Sequence, residues 1–213
     1  TGGVPGVTVG QAVEVAGRVE ERRPGGPEAG ALPVTTLAAG SVEVPEPAVT
    51  IFPTRTWLGE GRRLPPTETI EDDGFARFEP ARDGLDFWES LEGMLVGLPD
   101  ARVVGPSDAA GALAITAPGA ASGLSARGAL AVSPRDFNPE RLRLAADAEV
   151  SAGLAVPELP VGAALAGVIG VIAPEARGPV LLPTAPFRSA VPEIAERREI
   201  TPVGSTEIRR VDV

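Results

Sequence analysis

Carboxylates and guanidinium groups supply the candidate chemistry of this chain. Glu71, Asp72 and Asp73 form an acidic triplet followed by Gly74, a composition able to ligate calcium or magnesium through oxygen. The spacing D-x-[DN]-x-[DN]-G and the terminal Glu of an EF-hand loop are missing, so a solvated acidic turn is the simpler reading. Glu89 and Glu92 stand three apart, on one face if helical, and could serve acid–base work as a pair. At a strand entrance, capping or ion pairing suits them better. Residues 127–144, R-G-A-L-A-V-S-P-R-D-F-N-P-E-R-L-R-L, gather Arg and one Phe around turns made by S-P-R-D and N-P-E-R. Loop Arg and stacking aromatics are how small barrels hold single strands, so Arg127, Arg135, Phe137 and Arg141 are the candidates for a nucleic-acid contact. The competing reading pairs Arg135 and Arg141 with Asp136 and Glu140 and uses Phe137 to plug a barrel end. Trp57 among Arg55, Arg62 and Arg63 is a second patch, or a pin for the segment that carries it.

What is missing narrows the chemistry further. All 19 basic residues are Arg, and His, Cys, Lys and Tyr do not occur. A Ser-His-Asp hydrolase is therefore impossible within the chain, as are disulfides and thiolate zinc. Without Lys there is no phosphate-binding loop of the G-x-x-x-x-G-K-[ST] type. A formal charge of −10 opposes long-range attraction to a polyanion, so any nucleic-acid contact must be local. No run approaches the roughly 18 apolar residues of a membrane span. The start T-G-G-V-P-G has neither the charge nor the apolar core of an export signal, so neither membrane nor signal peptide is expected.

The elements that would position these groups are short strands. The 26 Gly and 23 Pro of 213 residues are dispersed between apolar runs as turn punctuation. Residues 7–20 alternate, with Val13, Val15 and Val19 on one face of a half-buried strand; Gly10 reads as a turn and Gly17 as a bend or bulge. Residues 32–44 give two more short strands around Gly40. Residues 45–83, rich in Pro, read as an ordered connector lying against a barrel. A short helix fits within 84–91, where Phe87 and Trp88 would close the barrel mouth.

Further strands are expected at Leu91 to Leu98 and Ala101 to Val104, joined by a hairpin at Pro99-Asp100. Others fall at Ala112 to Ala117, Gly128 to Val132, Leu142 to Ala145, residues 159–173 and residues 179–184. Met94, Val96, Ile115, Leu130, Val132, Leu142, Leu165, Ile169 and Val171 should point inward. Five or six such strands in about a hundred residues predict an all-β chain with an OB-like Greek-key barrel.

An internal repeat adds a partial upstream β module. Val9-Gly10 followed by Val15-Ala16-Gly17-Arg18-Val19 recurs as Val161-Gly162 followed by Leu165-Ala166-Gly167-Val168-Ile169. The second copy falls late in its barrel, so residues 1–44 read as the C-terminal part of a first OB-like module. Residues 84–190 are then the main barrel and 191–213 a linker.

The words P-P-T-E-T-I-E-D-D-G-F, R-D-G-L-D-F-W-E-S-L-E-G-M-L-V and S-P-R-D-F-N-P-E-R, in that order, resemble the region preceding the catalytic domain in secreted bacterial nucleases of the endonuclease/exonuclease/phosphatase superfamily. Trp88 stands where that family more often has Tyr, and residues 109–125 look shortened beside it. The resemblance implies a secreted or cell-surface protein. It also implies a covalently linked catalytic domain beyond I-R-R-V-D-V that would bind a divalent metal such as Mg, Ca or Mn. No cofactor and no catalytic residue is expected in this chain itself. Its expected role is to orient single-stranded DNA or RNA for that domain; the alternative is a structural spacer or protein-interaction module with no nucleic-acid contact.

Overall fold

A computed structural model of the chain describes residues 7, 10–23, 33–134, 136–175 and 178–192. The architecture is nearly all β. In chain order the elements are β1 (Glu14–Arg22), β2 (Val34–Glu43), β3 (Thr56–Trp57), α1 (Gly84–Glu89), β4 (Leu95–Gly105), β5 (Leu113–Thr116), β6 (Leu142–Leu144), β7 (Ala164–Ala173), β8 (Val180–Pro183) and β9 (Arg188–Ala190). The main sheet runs β3-β4-β5-β6-β8-β7-β9, and β4 pairs with β7 to close a five-stranded barrel. Within the barrel only β6 and β8 are parallel. Numbering the barrel strands from one gives the cyclic order 1-2-3-5-4, the Greek-key order of an OB barrel.

The barrel is filled by Val96, Leu98, Val103, Leu113, Ile115, Leu142, Leu144, Leu165, Val168, Ile172 and Leu181, all buried. One end is capped by α1, whose Phe87 and Trp88 are buried and meet edge to face with ring centroids 5.0 Å apart. The Trp88 indole Nε1–H donates to the carbonyl of Pro139 at 2.8 Å, giving the buried ring its one polar partner. Gly84 opens α1 because a Cβ there would come within 2.3 Å of the Pro139 Cβ. The connector contributes more than cover. Its β3 joins the sheet parallel to β4, and Leu58 beside it is fully buried in the core.

The inward set follows the sequence pattern only in part. Val96, Ile115, Leu142 and Leu165 point in, whereas Met94 is 39% and Val132 69% exposed, and Leu130, Ile169 and Val171 are half-buried. The error on β7 has a local cause. Gly167 sits at φ +72, and beyond it the buried positions become Val168 and Ile172. The facing strand changes side at the same level: Leu98, opposite Val168, and Ala101, opposite Leu165, both face inward, with Pro99 between. A residue with no N–H thus lies level with a left-handed Gly, and both strands coil there. Pro99-Asp100 is accordingly no hairpin; one 11-residue strand runs through it. The stretch Gly128 to Val132 forms no strand either, only an isolated bridge from Leu124 to Leu130 around the turn at residues 125–128.

Ahead of the barrel, β1 and β2 form a two-stranded antiparallel hairpin. Residues 34–43 are one strand rather than two, with Gly40 as the extra residue of a bulge beside Gly17. A Cβ on Gly17 would stand 2.4 Å from the Ala38 carbonyl oxygen. The face expected to be half-buried is open: Val13, Val15, Val19 and Leu37 are all exposed. The repeat carries into geometry, since Gly10 and Gly162 have φ of +90 and +89, and β1 and β7 each meet an irregular Gly three residues after starting.

Candidate functional site

OB barrels ordinarily bind oligonucleotides on their second and third strands and on the loops joining the first to the second and the fourth to the fifth. Here these are β5, β6, residues 106–112 and residues 174–179. At the centre of β6 lies Arg143, whose side chain is only 13% exposed. Its Nη2–H donates to Asp108 Oδ2 at 2.8 Å, and its Nη1–H donates to Glu175 Oε2. Asp108 belongs to one of the two loops and Glu175 to the other, so the guanidinium latches both across the strand.

Asp108 is itself fixed, since its Oδ1 accepts from the N–H groups of Ala112 at 3.0 Å and Ala110 at 2.9 Å. The Ala112 N–H and the Arg143 guanidinium hold its carboxyl below the usual carboxylate range. For Arg143, burial opposes the charge, but the bonds to Glu175 and Asp108 outweigh it and raise the pKa. The face thus spends its central cation internally.

The residues singled out around the following loop are split. Phe137 and Arg141 line one cleft of about 160 Å3, together with Ile70, Leu85, Arg143 and Pro179. Phe137 is exposed, so it does not plug the barrel. Arg141 makes no ion pair among the described residues. Of the carboxylates expected to pair with the loop Arg, Glu140 makes no ion pair with Arg141 among the described residues; Ser122 Oγ lies 2.7 Å from Asp136 Oδ2 and 2.8 Å from Glu140 Oε1, and its single proton can serve one of them at a time. The Ser122 N–H adds a bond to Glu140 at 3.0 Å. Arg127 is exposed in the turn at 125–128, with its carbonyl against Gly162, and lies outside the cleft. Arg135 lies outside the described residues.

Trp57 lies on Gly97 of β4, so close that a Cβ on that Gly would meet the indole at 2.7 Å. The guanidinium carbons of Arg55 and Arg62 stand 5.4 and 5.3 Å from its ring, cation–π contacts of about 0.5–1 kcal/mol at exposed sites. Arg63 stands 5.1 Å from the Phe87 ring and donates to Ser90 Oγ. This patch pins β3 and its loop to the barrel. Glu92 accepts from the Thr35 N–H at 3.0 Å, which fastens the hairpin near α1, while within the hairpin Glu21 accepts from the Thr35 hydroxyl at 2.8 Å. Burial, then Glu92 and Glu21, raise the Glu89 pKa; burial raises that of Glu92 against the Thr35 bond that lowers it. Of the two acids, Glu92 serves to attach the hairpin.

The acidic triplet is divided three ways. Asp72 meets Arg82 at 3.3 Å, Asp73 accepts from the Ala76 N–H at 2.8 Å, and Glu71 turns inward toward Asp83 and Asp86. Those last two were not singled out by sequence, although R-D-G-L-D places two acids three apart at a helix start, the one signal that could have drawn attention to them.

Barrel order and capping helix together define an OB-like β-barrel as the class of protein. The chain belongs to the family described as Domain of unknown function (DUF8508), whose signature matches residues 57–194, from β3 through β9. No curated protein and no solved structure matches the chain.

Proposed function

We propose that the chain is a non-catalytic spacer or protein-interaction module, an OB-type barrel that holds a neighbouring domain at a fixed position without gripping nucleic acid on its customary face. The supporting observation is the Arg143 latch. A guanidinium held by Asp108 and Glu175 is not available to a phosphate, and the two loops that would flank a bound strand present carboxylates there. The resemblance described above suggests the neighbour: a metal-dependent hydrolase of the endonuclease/exonuclease/phosphatase type in a secreted or surface protein. Its chemistry would need a carboxylate-held divalent ion and a water-activating base, and no step of it is assigned to this chain.

One observation favours a second reading, in which the module orients single-stranded DNA or RNA. Phe137 is 57% exposed in the same cleft as Arg141, an aromatic beside a cation with no ion pair among the described residues. A titration of labelled single-stranded oligonucleotide at low salt separates the two. The spacer reading expects no saturable binding and no cleavage with added magnesium, calcium or manganese. Saturable binding that weakens with salt at a log–log slope of about −0.7 to −1.4, as one or two phosphate contacts require, would replace it with the second reading if Phe137→Ala and Arg141→Ala abolished it and Arg127→Ala did not. Metal-dependent cleavage by the purified chain would overturn both.

A further inference from the structure

Three carboxylates from two different segments converge beneath the connector. Glu71, Asp83 and Asp86 each offer an oxygen such that all three lie within 4.8 Å of one another. Asp83 and Asp86 are buried, and Glu71 is half-buried. Proximity alone would make this an acidic turn. What distinguishes it is Asp83: the residue is 0% exposed, and neither carboxylate oxygen has a hydrogen-bond partner among the described residues. Glu71 Oε2 is likewise buried and unpartnered. Buried polar atoms are almost always satisfied, and an ionised carboxylate buried without donors is among the most costly groups a fold can hold.

The surroundings were free to supply donors and do so for the other oxygens. Glu71 Oε1 accepts from the N–H groups of Asp73 at 2.9 Å and Phe75 at 3.2 Å, and Asp86 Oδ2 accepts from the Glu79 N–H at 2.6 Å. The one cation adjacent in sequence, Arg82, points outward to Asp72 and Glu79 at 3.3 and 3.5 Å. The backbone holds the cluster in place: the N–H groups of Gly84 and Leu85 donate to the carbonyls of Thr69 and Ile70, both at 3.0 Å. Three acids are thus held together with oxygens left over and no positive charge among them.

We propose that Glu71, Asp83 and Asp86 form a structural calcium site that clamps the connector loop to the start of α1. Oxygen ligands around calcium sit about 2.3–2.6 Å from the ion. Ligand oxygens can then be up to about 5 Å apart, and the observed convergence falls inside that limit. An all-carboxylate set with no imidazole or thiolate selects a hard cation over zinc or copper. Calcium accepts irregular geometry and several protein oxygens, whereas magnesium keeps its waters and demands an octahedron. Burial, then repulsion from Asp72 and Glu71, raises the Asp83 pKa, with Arg82 acting against them.

The test uses the full chain stripped with a chelator, then titrated with calcium chloride by calorimetry and followed by thermal unfolding, with magnesium chloride as comparator. One calcium should bind per chain, and calcium at about one hundred times its Kd should raise the unfolding midpoint by roughly 5–10 °C. Asp83→Asn should lose both effects, and Glu71→Gln, a change on the loop side, should weaken binding at least about tenfold should Asp83→Asn fail to fold. Asp72→Asn should keep both. No heat and no midpoint shift in the wild type would overturn the site. So would an unchanged calcium response in Asp83→Asn or Glu71→Gln, or a response to magnesium alone.

Discussion

Arg143 is where the barrel's electrostatics are concentrated, and removing it leaves Asp108 and Glu175 facing each other without a counter-charge. After allowance for solvent screening, Arg143→Ala should cost about 1 kcal/mol, or roughly 2–4 °C in midpoint. Its pH dependence has a definite sign. The folded Asp108 pKa is depressed, so the latch contributes fully above the ordinary carboxylate pKa and is lost as pH falls through the lowered folded value. Urea midpoints of wild type and Arg143→Ala should therefore differ at neutral pH and converge in acid; a gap that stays constant would mean the latch carries no charge-dependent stability. None of this was legible beforehand. Asp108, Arg143 and Glu175 belong to three separate segments, and only strand order brings them to one place. Glu71 was noticed as part of a triplet, but its partners Asp83 and Asp86 were hidden inside a stretch dominated by its aromatics.

Among the elements, period-two alternation located most of the strands, because Val, Ile and Leu runs between Gly and Pro have few other ways to bury themselves. It failed where backbone conformation, not side-chain type, set the facing. Alternation places Ile169 and Val171 inward, and Gly167 at φ +72 moves the buried set to Val168 and Ile172. The Pro99 level, which resembles a turn, is the matching irregularity on β4. Glycines in β7 should consequently differ in tolerance. At Gly167 a Cβ would meet nothing within 4 Å, so Gly167→Ala pays only for left-handed backbone, about 1–2 kcal/mol. At Gly170 a Cβ would lie 2.3 Å from the Leu182 carbonyl oxygen. Gly170→Ala must push β7 from β8 and should cost more; chemical denaturation of the pair would refute the account if the order were reversed.

For the whole molecule, the β1–β2 hairpin and the barrel are unequal partners. The hairpin meets the rest at Thr35 on Glu92, with Gln11 bridged to Thr50 just ahead of it, and its Val15, Val19 and Leu37 are exposed. The family match starts only at residue 57. A chain starting at residue 50 should keep a cooperative transition and an unchanged near-ultraviolet signal from Trp57 and Trp88; loss of either would show that the hairpin holds part of the core. Barrel closure also imposes an order on synthesis. On the ribosome, β4 leaves the exit tunnel with its closing partner still untranslated, because Leu95 pairs with Val171 and Arg102 with Ala164. At about 5–20 residues per second, that edge waits roughly 4–15 s before β7 emerges. During that interval the nascent chain exposes Val96, Leu98 and Val103, which makes it a client for whatever chaperone attends the growing polypeptide.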